Sequence, residues 1–68
     1  MDFVDKARVR LERWITHNDD HQSEYQTFAD QLEGAGKKES AEHIREMIQL
    51  STKSNDCLRR ALAALKND

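Results

Sequence analysis

A chain of 68 residues with 37% hydrophobic and 35% charged residues, no proline and two glycines has the composition of one charged-surface helical domain, not of a disordered segment. Its net charge of −2 argues against a generic nucleic-acid binder, whose affinity rests on neutralising phosphates. A single cysteine, Cys57, excludes an internal disulfide and a cysteine-paired zinc knot. A domain this small buries too little surface to be comfortably stable alone, so oligomerisation is the expected support.

The N-terminal segment Met1-Asp2-Phe3-Val4-Asp5 lacks the basic start and apolar stretch of a signal peptide, and no apolar run approaches the roughly 18 residues of a membrane span. A cytoplasmic location follows as the expectation. There Cys57 stays reduced, as a small and partly buried apolar residue.

The first predicted element is a helix over about residues 2–33. Val4, Ala7, Leu11, Trp14, Asn18, His21, Tyr25, Phe28 and Leu32 recur at alternating spacings of three and four, which is a heptad seam. Thr16-His17-Asn18-Asp19-Asp20 is a run of poor helix formers that could cap a new helix or kink this one. The seam keeps its phase from Trp14 to Tyr25, which favours one long helix.

Gly34-Ala35-Gly36 predicts a turn over 34–37, because glycine past a helix end can adopt the left-handed conformation that closes it. A second helix is predicted over about 38–66. Ala41, Ile44, Ile48, Ser51, Asn55, Leu58, Leu62 and Leu65 form its seam. Beside them run His43, Met47, Leu50, Ser54, Cys57, Ala61 and Ala64 at the same alternation. A hairpin needs one seam per helix, so the second stripe is assigned to a dimer contact. The alternative is a broad core-facing stripe of a monomer. The expected fold is thus all-α: an antiparallel helical hairpin with heptad seams, pairing into a homodimeric four-helix bundle.

Folding the chain back at Ala35 sets Asn18 opposite Ser51 and Asn55, and His21 opposite Ile48 and Ser51. The polar intrusions of both seams fall at one level, and such a layer can satisfy itself and fix register. His17 and His21 add chemistry. Residues four apart share a helix face, so both imidazoles can address one ion, and Glu24 extends that face as a third candidate ligand. Such a set suits zinc, nickel, cobalt, copper or iron. One pair is only half of a coordination shell, which a second copy of the face would close. His43 falls near Gln26 and Tyr25, as a boundary histidine of the dimer stripe and no natural third ligand. Trp14 and Tyr25 bracket the layer as core aromatics.

No catalytic constellation is legible. Phosphate loop, nucleophile elbow and paired Glu-x-x-His motifs are all missing from the sequence, and a two-helix hairpin offers no deep pocket. Lys6, Arg8, Arg10, Arg13, Arg59, Arg60 and Lys66 gather at the open end, but interleaved Asp2, Asp5, Glu12 and Asp68 make ordinary surface ion pairing the favoured outcome.

Trp14-Ile15-Thr16-His17-Asn18-Asp19-Asp20-His21, with Tyr25, Phe28-Ala29, the glycine turn, Ala41-x-x-Ile44 and Ser54-Asn55-x-x-Leu58, resembles a group of short uncharacterised prokaryotic helical proteins with a W-I-x-H-N-x-x-H motif. The resemblance spans roughly residues 11 to 65. It implies that the histidine-asparagine motif is a family feature and carries no activity with it. The functional expectation is a metal-binding or metal-responsive protein using His17, His21 and Glu24. The alternative is an interaction or assembly module, docking a protein partner, in which the polar layer only sets register.

Overall fold

Asp2 opens the first helix, α1 (Phe3–Gly34): its carboxylate accepts the Asp5 backbone N–H at 2.9 Å, supplying one of the donors that a helix start leaves unpaired. The second helix, α2 (Lys38–Asn67), returns antiparallel against α1, and the two form an all-α hairpin with principal extents of 51 × 16 × 11 Å. This computed structural model describes residues 2–67, with side chains over 2–65. None of the described helices is long and apolar enough to cross a membrane.

The connection closes by a Schellman motif. Lys37 N–H donates to the Leu32 carbonyl at 2.8 Å and Gly36 N–H to the Glu33 carbonyl at 3.0 Å, which requires a left-handed residue between them. Gly36 supplies it with φ +80°. Gly34 is still helical, and a methyl group there would meet open space. The two glycines therefore predict opposite outcomes in chemical denaturation. Gly36→Ala should destabilise by about 1 kcal/mol through left-handed strain, whereas Gly34→Ala should stabilise by about 0.5–1 kcal/mol by restricting the unfolded chain.

Helix α1 runs without interruption through Thr16–Asp20. The three central residues of this run have their side chains engaged elsewhere: Asn18 and Asp19 bond across to α2 and His17 bonds to His21. They do not compete for their own backbone.

In α2 the buried and half-buried positions are Ala41, Ile44, Ile48, Ser51, Asn55, Leu58, Leu62 and Leu65, joined by Arg45. In α1 the phase differs from the expected one. Leu11, Asn18, Tyr25 and Leu32 face α2 and His21 is half-buried as expected, but Trp14 and Phe28 give way to Ile15 and Ala29, one residue later, and Gln22 joins His21. Trp14 and Phe28 are each 49% exposed, so Trp14 is not a core aromatic. The reason lies in the packing distance. Ala29 and Ala41 are both fully buried near the turn, and small residues allow a close approach that Phe28 would prevent.

The apolar core is thin. Ala29, Ala41 and Ile48 are its buried hydrophobic members, alongside Asn55. At the turn end Arg45 clamps the hairpin, donating to Glu33 at 3.1 Å and Asp30 at 3.0 Å. These hydrogen bonds, Glu33 first and then Asp30, raise the Arg45 pKa further above its ordinary range. A raised cation contributes fully below that range and is lost only as pH climbs past it, so the Arg45 side of this clamp is constant at working pH.

Candidate functional site

Midway along the hairpin a polar cluster crosses between the helices. Asn55, only 1% exposed, donates to the Asp19 carboxylate at 2.6 Å and to the Ile15 carbonyl at 3.3 Å, while its own carbonyl accepts from Asn18 at 2.9 Å. The second Asp19 oxygen receives Arg59 at 2.7 Å. Among the described residues no buried side-chain nitrogen or oxygen lacks a partner.

Of the expected layer, Asn18 and Asn55 are thus brought together. Ser51 is half-buried at the seam and takes no part in these bonds, and His21, also half-buried, bonds to the exposed His17 and stays outside this cluster. Asp19 and Arg59 are members that sequence reasoning missed. Only the register could have revealed them, because Asn18 meets Asn55 itself, not a point midway between Ser51 and Asn55. A neighbouring bond, Gln22 to Thr52 at 2.9 Å, repeats that register one turn on.

The histidine pair forms on the other flank of α1. Nε2 of His21 lies 3.1 Å from Nε2 of His17, with the rings edge-on at 84°. Two imidazole nitrogens, each at about 2.0–2.1 Å from one tetrahedral ion, stand about 3.3 Å apart, so the pair is close to chelating spacing. His21 Nδ1 lies 3.1 Å from Glu24 Oε2. With its proton on Nδ1 the ring donates to Glu24, and a lone pair is left on Nε2, facing His17. Glu24, expected as a third ligand, is therefore placed at the far nitrogen, where a carboxylate orients the ring. His21 also stacks on Tyr25, with centroids 5.9 Å apart and planes 17° apart, which restrains the ring further.

Among the described residues no group of three or more His, Cys, Asp or Glu side chains converges as a metal cage. His43 is on its own: it lies 3.8 Å from Glu46 and 4.0 Å from Glu39 of the same helix. The expected dimer stripe is not used within the hairpin, since His43, Met47, Leu50, Cys57, Ala61 and Ala64 are all exposed. That removes the broad monomer core as its explanation. It also corrects Cys57, which is a free thiol in the open and not a partly buried one. The basic cluster at the open end is partly consumed by ion pairs, Arg8 with Asp5 at 3.1 Å and Arg59 with Asp19 and Asp56. The Lys66 side chain lies outside the described residues.

Fold and site together define an all-α helical hairpin that carries a polar cross-helix cluster on one face and a histidine pair on the other. Within that class, the chain belongs to the family described as a domain of unknown function, DUF8180, whose model matches residues 7–65. No curated protein and no solved structure matches it.

Proposed function

We propose that the protein is a small cytoplasmic transition-metal-binding or metal-responsive protein, with His17 and His21 as ligands and Glu24 as the group that fixes the His21 ring. The observation that carries this is the 3.1 Å separation of the two Nε2 atoms, already close to chelating spacing. Neutral imidazoles suit zinc, copper, nickel, cobalt or iron, whereas calcium and magnesium ask for oxygen cages. Protons compete with the ion for the same nitrogens, so acidification should release it.

Calorimetric titration of zinc and nickel into chelator-treated protein tests the assignment. Binding should be lost in the His17→Ala/His21→Ala double variant and kept in His43→Ala. Unchanged binding in the double variant would end the proposal.

A second reading, an interaction or assembly module, is favoured by the solvent-facing Met47 and Leu50, the latter 60% exposed. On that reading Met47→Glu or Leu50→Glu should abolish self-association or capture of a partner helix, measured by light scattering. An unaltered mass in an associating protein would reject it.

A further inference from the structure

Phe3, Trp14 and Phe28 of α1 and Met47 and Leu50 of α2 are large apolar side chains left in solvent. Their helical positions put them on one side of the hairpin. The cross-helix pairs Asp19–Arg59, Glu33–Arg45 and Gln22–Thr52 occupy the opposite side. At the open end Phe3 and Ala7 of α1 join Ala61 and Leu65 of α2 around one largely apolar groove of about 310 Å³, so both helices contribute to the face there. His17 and His21 belong to that face, on the same flank of α1 as Trp14 and Phe28.

We propose that this face docks on the same face of a second copy of the chain, and that the two His17/His21 pairs meet across the two-fold axis as four ligands of one transition-metal ion.

The extent of exposed surface supports a second copy as the occupant. The chain exposes 5365 Å², against about 4,400 Å² for a compact monomer of its 7.9 kDa mass. The excess of roughly 1,000 Å² matches what one partner contributes to a standard interface, about 800 Å². A self-complementary face closes the assembly at two chains.

Position along the helix supports the shared ion. His17 and His21 straddle the midpoint of α1, which runs Phe3–Gly34. A two-fold axis lying in the interface and crossing the hairpins at mid-length sets α1 antiparallel to its copy, and brings the two pairs level. The same axis carries Arg10 to within about one turn of Glu24 of the second copy, an attractive pairing. With Asn18 level with Asn55, it also sets Met47 near Ala61 and Leu50 near Cys57 of the copy, large side chains against small ones. Each chain lacks a third ligand of its own among the described residues, so four-coordination is reached only in the pair.

This inference rests on the metal-binding proposal above, and the experiment separates the two. Sedimentation equilibrium and metal analysis are run on the full chain with zinc, with chelator, and on the His17→Ala/His21→Ala and Met47→Glu variants. His17 and Met47 are exposed and His21 is half-buried, and far-UV circular dichroism checks that the helices persist in each variant. The expected result is a dimer holding one zinc per two chains, with dimerisation weakened at least about tenfold by chelator or by loss of the histidines. Zinc affinity should also fall in Met47→Glu, because the two equilibria are linked. A monomer holding one zinc per chain would overturn the shared site and leave metal binding intact. A dimer without zinc, indifferent to chelator, would overturn both metal statements and leave only assembly. A zinc-free monomer would overturn the docking and the site together.

Discussion

Asn55→Ala should cost the hairpin about 2–4 kcal/mol in urea denaturation followed by circular dichroism. Asn55 is the one fully buried polar side chain among the described residues and the hub of three hydrogen bonds that tie α2 to Ile15, Asn18 and Asp19. Truncation leaves its partners short of bonds in a partly dry layer, at about 1–3 kcal/mol, and opens a small void besides. For a domain whose total stability is about 5 kcal/mol or less, that is most of it. The double variant Asn18→Leu/Asn55→Leu distinguishes the cause. Replacing both partners by apolar groups removes the unsatisfied atoms, so most of the stability should return while the register is less sharply specified. A loss below about 0.5 kcal/mol in Asn55→Ala, the size of an ordinary surface change, would mean that the layer is not closed as described.

The second large effect concerns Glu24. If its carboxylate holds the His21 Nδ1 proton, as the 3.1 Å contact places it, Glu24→Gln should weaken zinc binding by about 10–100-fold without changing the metal-to-protein ratio, which is the usual scale for an outer-shell partner of a ligating histidine. Removing a true ligand acts differently: His21→Ala should abolish binding in the measurable range. Equal losses in the two variants would make Glu24 a direct ligand and return it to the role that its spacing alone suggested.

These two residues also show how far the amino-acid order could be read. The turn was legible because glycine has a distinct backbone chemistry, and Gly36 adopts the left-handed conformation it was expected to provide. The α2 seam was legible because its apolar residues admit one phase. In α1 two phases share Leu11, Asn18, Tyr25 and Leu32, and hydrophobicity favoured the wrong alternates. Trp14 and Phe28 are more apolar than Gln22 and Ala29, but the choice belongs to interhelical distance, which no single helix encodes. At the site, the i, i+4 spacing of His17 and His21 was enough to bring the nitrogens together. Spacing could not say which nitrogen of His21 would meet Glu24. Nor could it place Asp19 and Arg59 beside Asn55, since those contacts depend on a cross-helix register shifted by part of a turn.

The most direct test of the metal assignment is a long-range proton–nitrogen spectrum of the imidazole rings during zinc titration. Zinc should move the Nε2 resonances of His17 and His21 to metal-bound values, with the proton on Nδ1 in both, while His43 stays unchanged. If His17 and His21 do not respond, or respond no more than His43 does, the pair is a hydrogen-bonded contact on a helix surface and binds no metal.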